Sequence, residues 1–570
     1  MTYSVPHQLS LQHIQELLTK DSLSNPYTYL LVFAAVTLLI ETVLFLRSNV
    51  TLTHNASTVK IGHTSLADLI RRHCPSLTGR FVPTPWLANG HLQTVFAGAA
   101  ARVGKREFEY EREILQLPDG GQVGIDYARP NPSTNDTTNK TASPKAIVIL
   151  LHGLGGGSYD KYILDFIPYA LKRGYTVASL NSRGCGGIPV KTPQLYSGSW
   201  THDLHAMVTH IKSTYPHARL FGVGFSLGGN IFTKWVGEQG KNCVLDGFVS
   251  VANPYDLQLN QTWLHSSFLG KELYSRVMSD GLKVFYDKHK AALEPHAESF
   301  IAPIQTAHVL ATKYLAEFDD AVTRRMFAFR NVYEYYRVAS SSQYVPDIRV
   351  PSLFLSDLND PIVGPPAIPV RDVLANPYIV LACTKRGGHL GWWEGIVQPR
   401  RWYPVPILEF VDLICMAKSM KDGGHVEVRR VGRHLHKMHS HYVPRHLRVE
   451  SGGERSERQE GERLEHQESR KGGSPTRGRK PTKVVNHSST TSQTSPVRQV
   501  AGRVVAPKPV RDSSTQDKPT AVARAFKFWD AFMGSKSVEA RIVKAFVGTV
   551  VVGLLLVLRR NRKGVAKKLV

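Results

Sequence analysis

Three patterns of apolar and polar positions divide the chain. Residues 27–46 form one apolar run, YTYLLVFAAVTLLIETVLFL, whose only charge is Glu41 and which ends at Arg47. At 1.5 Å per residue the run is about 30 Å long, the thickness of a bilayer core. It predicts a transmembrane helix behind a polar N-terminal segment, residues 1–26. That polar stretch is too long, and the apolar run too extended, for a cleaved signal peptide. A buried core helix would satisfy Glu41 more easily, but it would be unusually apolar on every face. Lys20 precedes the run while Arg47 and Lys60 follow it, a bias that mildly favours a cytosolic position for what comes next.

From residue 108 to 415 the pattern changes to short β-rich runs separated by helical stretches, as in an α/β domain. FEYEREILQL and QVGIDYAR flank Pro118-Asp119-Gly120-Gly121, which reads as the turn of an antiparallel hairpin. AIVILLHGL, TVASLN, RLFGVGFS, GFVSVAN, SLFLSDL and YIVLACT follow, apolar runs suited to strands buried on both faces. The expectation is therefore an eight-stranded, mostly parallel sheet, with crossover helices at residues 160–172, 201–213 and 227–239. Residues 254–347 break the alternation. They are long and helix-like, they fall between two strands, and they predict a lid insertion. Residues 131–144 are rich in Asn, Thr, Ser and Pro and read as a surface loop carrying two N-glycosylation patterns, at Asn135 and Asn139.

Beyond residue 415 apolar periodicity is lost. Residues 416–519 predict a disordered basic linker, with too little apolar surface to offset chain entropy. Residues 520–570 predict a membrane-associated segment whose apolar stretch, 545–558, reaches only about 21 Å, so an interfacial position and a second span both remain open. The net charge of +25 is concentrated here, since residues 416–570 hold 33 basic and 13 acidic side chains. Basic character thus belongs to a tail, and no nucleic-acid partner is expected of the folded part. Lysines and arginines beside apolar residues suit anionic lipid. Six histidines between 425 and 446 make a metal site conceivable, but no carboxylate or cysteine pattern completes one. The five cysteines contain no CxxC pair, which argues against a disulfide scaffold and a zinc ribbon.

Candidate chemistry lies at strand ends. Gly224-Phe225-Ser226-Leu227-Gly228 matches G-x-S-x-G, with an apolar strand entering it and a helical stretch leaving it. Such a turn exposes a serine at the carboxyl edge of a sheet. A serine nucleophile needs a base, an acid that orients the base, and an oxyanion hole. SLFLSDLNDPIVG supplies Asp357 and Asp360 after the next-to-last strand. Asp360 is preferred because it lies deeper in the turn, where Pro361 stiffens the loop, and Asp357 is assigned to hydrogen bonding within that turn. His389, in the glycine-rich loop after the last strand, is the candidate base. The backbone amides of Leu227 and Leu154 are the candidate oxyanion donors, Leu154 from the loop His152-Gly153-Leu154-Gly155-Gly156-Gly157. That loop lacks the G-x-G-x-x-G spacing of a dinucleotide site.

Together FVPTPWLANGHLQTV, HGLGGGSYDKYI, LNSRGCGG, YSGSWTHDL, GFSLGGN, FDDAV, YEYYRVASS, LNDPIVG and GGHLGWWEG resemble the YheT-like branch of the α/β-hydrolases. That branch includes membrane-anchored ABHD phospholipases, plant embryogenesis-associated proteins and yeast medium-chain ethyl ester synthases. The resemblance covers residues 66–415. It implies an α/β-hydrolase fold, a charge relay of Ser226, Asp360 and His389, and acyl transfer through an acyl-serine without metal or cofactor. Relatives often carry two adjacent acids where this chain has Asn359-Asp360. The substrate implied is a phospholipid or a short to medium-chain lipid ester. Water as acceptor gives hydrolysis, whereas an alcohol acceptor with an acyl-CoA donor gives ester synthesis, and the triad does not distinguish them. A silent membrane scaffold is disfavoured by the complete triad. The expected location is the endoplasmic reticulum or another lipid-handling endomembrane, and protein partners are not indicated.

Overall fold

The computed structural model describes residues 48–99, 108–130, 144–396 and 398–421. The predicted segment 1–26, the apolar runs at 27–46 and 545–558, both glycosylation patterns and the histidine-rich stretch lie outside the described residues. Within them no helix is long and apolar enough to cross a membrane.

In chain order the elements that position the site are strand β1 (Thr51–His54), helix α1 (Leu66–His73), α2 (Gly90–Ala99), β2 (Glu111–Gln116), β3 (Gln122–Ala128), β4 (Ala146–Leu151), α3 (Lys161–Lys172), β5 (Thr176–Asn181), α4 (His202–Thr214), β6 (Arg219–Phe225), α5 (Leu227–Gln239), β7 (Gly247–Val251), α6 (Leu257–His265), α7 (Arg276–Leu293), α8 (Val332–Ala339), β8 (Ser352–Asp357), β9 (Ile379–Thr384) and α9 (Pro404–Lys421). The sheet runs β1-β9-β8-β7-β6-β4-β5-β3-β2. Its middle, from β9 to β5, is parallel, and β3, β2 and β1 join antiparallel at the two ends. This is the α/β-hydrolase arrangement.

The sheet has nine strands, not eight. The additional one, β1, has the short, half-exposed sequence TLTH, which carries no apolar alternation. Pairing of Thr51 to His54 with Cys383 to Val380 makes it a strand. It also lies before residue 66, and α9 continues through Cys415 to Lys421, so the folded unit extends past both ends of the 66–415 span read from the sequence.

Alternation explains how the buried strands serve two helical layers. In β4, Val148 and Leu150 face the core built with α3 and α9, while Ile147, Ile149 and Leu151 face the core built with α4 and α5. Leu353 and Leu355 of β8 join the first core and Phe354 the second. Side chains at successive strand positions point to opposite faces, so an all-apolar strand requires helices on both sides. Gly222 of β6 lets α5 approach closely, since a Cβ there would lie 2.3 Å from the Phe232 ring.

Two neighbour relations place the loops. The strand order reverses at β4, with β5 on one side and β6 on the other, which opens a crevice at the carboxyl ends. The register Leu151↔Gly224 then sets the His152–Gly157 loop beside the turn after β6. Likewise Asp357↔Thr384 sets the loop after β8 beside the loop after β9. The helical insertion between β7 and β8 has an apolar cluster of its own, including Leu282, Tyr286, Val309, Phe318 and Val322. It contains two π-helical turns, Gly270–Ser275 and Asp319–Thr323.

Candidate active site

Ser226 occupies the turn between β6 and α5 with φ 53° and ψ −123°, a backbone conformation that a residue with a Cβ adopts only under strain. Its amide is held by Val251 O at 2.9 Å. The flanking glycines are needed for space. A Cβ on Gly224 would meet Gly228 O at 2.6 Å, and one on Gly228 would meet His152 O at 2.2 Å. Strand and helix therefore cross tightly enough to lift the serine above the sheet edge.

The structure brings Ser226, His389 and Asp360 into one hydrogen-bonded line. His389 Nδ1 lies 2.8 Å from Asp360 Oδ2, and Nε2 lies 2.9 Å from Ser226 Oγ. With Nδ1–H donating to the carboxylate, Nε2 is left to accept the serine proton. Asp360 is buried, and its second oxygen accepts the amides of Ile362 and Val363, both at 2.8 Å. Asn359 points elsewhere: its side-chain oxygen accepts Gly90 N at 3.1 Å.

Asp357 does more than hold its own turn. It accepts Asn359 N at 2.9 Å, but also Gly387 N at 2.6 Å, Gly388 N at 3.1 Å and the Thr384 hydroxyl. One buried carboxylate thus ties the acid loop to the loop that delivers His389. Burial pushes this carboxyl up to about 6, against the opposing pull of those hydrogen bonds.

The proposed oxyanion loop is similarly braced. His152 is fully buried; Ser182 N donates to its Nε2 at 3.3 Å, which leaves Nδ1–H to donate to Gly153 O at 2.8 Å. Burial lowers its pKa and keeps it neutral. Gly153 N donates to the Tyr162 hydroxyl at 2.7 Å, and Tyr162 donates in turn to Asp160. Gly155 N donates to the Tyr196 hydroxyl. Gly153 abuts Ser226, its added Cβ falling 3.2 Å from the Ser226 Cβ. Among the described residues the amides of Leu154 and Leu227 have no hydrogen-bond partner, as donors reserved for an incoming oxyanion must.

Helix α2 contributes residues that inspection of the chain does not single out individually. Thr94 Oγ1 accepts His389 N at 2.8 Å and donates to Gly90 O at 2.7 Å. Gln93, wholly buried, donates to Leu87 O and Trp393 O and accepts Trp393 N at 2.7 Å. The only signal in the sequence is two polar residues in a helical stretch, and that these two are buried is a tertiary property.

Beside Leu154 and Leu227 lies a narrow, solvent-open cleft walled by Leu282, Phe285, Phe318 and Met326 of the insertion. Asp319 and Tyr335 also reach it. An apolar wall of this kind suits a hydrocarbon chain next to the reacting carbonyl. Among the described residues no cluster of His, Cys, Asp and Glu could hold a metal ion, and the five cysteines are free thiols.

A family model described as Serine aminopeptidase, S33 matches residues 142–375. The chain is 29% identical over 382 residues to a Saccharomyces cerevisiae monoacylglycerol lipase, covering 61% of this chain and 84% of that one. It is 32% identical over 332 residues to the Picea glauca embryogenesis-associated protein EMB8, covering 58% and 71%. Against the Homo sapiens phospholipase ABHD3 it is 29% identical over 342 residues, covering 59% and 79%.

Proposed function

Since this chain belongs to the α/β-hydrolase superfamily, in the branch of the ABHD phospholipases, and is an ester hydrolase, we propose that it cleaves membrane-lipid esters through an acyl-Ser226 intermediate. The observation that carries the reading is the line Ser226 Oγ, His389 Nε2, His389 Nδ1, Asp360 Oδ2, with contacts of 2.9 and 2.8 Å, beside an apolar cleft.

In this reading His389 Nε2 takes the Ser226 proton as Oγ bonds to the acyl carbon. The carbonyl electron pair moves onto oxygen, where the amides of Leu227 and Leu154 stabilise it. As the carbonyl re-forms, the ester C–O bond breaks, and the leaving alcohol takes the proton from His389. Water, deprotonated by the same histidine, then attacks the acyl carbon; the Ser226 Oγ–acyl bond breaks, Oγ takes the proton back from His389, and the acyl group leaves as a carboxylic acid. Asp360 holds the imidazole in the tautomer that both steps require. The names of the relatives, monoacylglycerol lipase and phospholipase, support an acylglycerol or phospholipid substrate. Residues 27–46 anchor the enzyme to an endomembrane in this proposal, where such substrates reside.

The test is turnover of a monoacylglycerol, a phospholipid and a simple decanoate ester by the purified full-length protein, with Ser226→Ala as control. Wild type should release fatty acid and label with a fluorophosphonate, and Ser226→Ala should do neither. Normal turnover by that variant would refute the mechanism. For the anchor, removing residues 1–47 should release the protein from carbonate-washed membranes; full retention would assign membrane binding to another segment.

A further inference from the structure

Among the polar residues that line the cleft, Asp319 and Tyr335 keep unused hydrogen-bonding capacity, and the charge relay uses neither. Asp319 opens the π-helical turn Asp319–Thr323, an irregularity that concentrates at functional positions. Asp319 is among the residues lining the cleft and is 7% exposed, and its carboxylate accepts the Thr323 hydroxyl at 2.7 Å and the Tyr336 hydroxyl at 2.9 Å. A carboxylate has about four acceptor positions, so half of its capacity is unused. Among the described residues no cation pairs with it, and its burial pushes the carboxyl up to about 6. The neighbouring Tyr335, on α8, is 4% exposed and lines the same cleft. Its hydroxyl oxygen accepts Gly198 N at 3.1 Å, but its proton has no acceptor among the described residues. Asp319 and Tyr335 do not bond each other.

Once an apolar ligand displaces water from the cleft, an acceptor with free lone pairs and a donor without an acceptor become costly. A ligand hydroxyl has the chemistry that both lack, a proton to donate to the carboxylate and a lone pair to accept from the phenol. We propose that Asp319 and Tyr335 form a hydroxyl-binding subsite of the cleft, which selects esters carrying a free aliphatic hydroxyl over their fully apolar counterparts. This rests on the reading of the protein as a lipid-ester hydrolase. A wholly apolar ester leaves the spare acceptor positions of Asp319 and the Tyr335 proton without a partner in the complex, and discrimination of that kind is larger than a hydrophobic pocket achieves alone. The hydroxyl belongs either to the acyl chain or to the alcohol.

The experiment compares two pairs of esters with full-length protein in mixed micelles. p-Nitrophenyl ω-hydroxydecanoate against p-nitrophenyl decanoate places the hydroxyl on the acyl side, and monodecanoylglycerol against propyl decanoate places it on the alcohol side. Wild type should prefer the hydroxyl-bearing member of one pair by about tenfold or more in kcat/KM, and that pair identifies the source. Asp319→Leu and Tyr335→Phe should each move the ratio towards one. Because the ratio is taken within one preparation, an inactive fraction cancels. Equal turnover within both pairs, or a ratio that neither variant alters, would overturn the subsite. Wild type that takes up fluorophosphonate yet turns over none of the four esters would overturn the lipid-ester reading and the subsite with it.

Discussion

Replacing Asp360 by Asn tests the acid assignment through the geometry of its two oxygens. One oxygen accepts the Ile362 and Val363 amides and the other faces His389 Nδ1. In the variant the amide oxygen must stay with the two backbone donors, which turns the NH₂ towards Nδ1. The imidazole then presents a lone pair at Nδ1 and carries its proton on Nε2, where it cannot accept from Ser226. The opposite flip would restore the tautomer but leaves two buried N–H groups facing an NH₂, at about 1–3 kcal/mol each. At about 1.4 kcal/mol per factor of ten, the competent flip is reduced roughly 30-fold to 20,000-fold, and kcat should fall within that range. Thermal stability should change little. Asp357→Asn should behave in the opposite way. Four donors face this carboxylate, and even if the Thr384 hydroxyl turns to accept, an amide leaves at least one backbone N–H unpaired, so Tm should drop while kcat falls less. Initial rates on a water-soluble decanoate ester, fluorophosphonate labelling and thermal melts of both variants decide the matter. A larger kcat loss in Asp357→Asn at unchanged Tm would show that the acid beside the base has been misassigned.

Thr94→Val removes the acceptor of His389 N without changing shape, so kcat should fall about tenfold and Thr94→Ser should restore it; full activity in the valine variant would remove Thr94 from the positioning scheme. Gly228→Ala drives a Cβ to 2.2 Å from His152 O and 2.5 Å from Leu151 O, both backbone, so activity and Tm should fall together, and a fully active variant would mean that the turn can open. Glu409 on α9, hydrogen-bonded among the described residues only by Ser76, is pushed up to about 7 from an ordinary value of 4.5 by burial. The folded state therefore holds this proton more tightly than the unfolded state: the contribution to stability is complete below about 4.5 and is lost as pH rises through about 7. The loss amounts to about 3 kcal/mol. Glu409→Gln should flatten the decline in urea midpoint between pH 5 and pH 8, Asp357 and Asp319 keeping a residual slope of the same sign; an unchanged slope would refute the assignment.

The loops that converge on Ser226 depend on one another. Gly388 has φ +59°, and a Cβ there would lie 2.3 Å from Gly90 O, so the His389 loop fits only because helix α2 and a glycine meet backbone to backbone. Gly90 in turn lies against Asn359, where a Cβ would meet the backbone oxygen at 1.8 Å. Acid loop, base loop and α2 form one packed unit, so a substitution in α2 reaches the imidazole without touching substrate.

Local pattern was sufficient wherever a segment's role depends on its own residues. Runs such as AIVILL and IVLAC are apolar at every position, and only a strand covered on both faces accommodates that. The G-x-S-x-G turn needs glycines at fixed offsets because its backbone crowds itself, so it is visible in five residues. Asp360 and His389 were legible for a related reason: parallel strands deliver functional loops at their carboxyl ends, and each residue follows such a strand. Strand β1 was not legible, because TLTH becomes a strand only by pairing with a segment more than 300 positions away. The second role of Asp357 was hidden likewise, since two of its donors, Gly387 and Gly388, arrive from the next strand's loop. Thr94, Gln93, Asp319 and Tyr335 are ordinary helix residues by sequence. Burial gives each its meaning, because removing water makes the choice of hydrogen-bond partner energetically decisive, and what is buried is settled by the assembled fold.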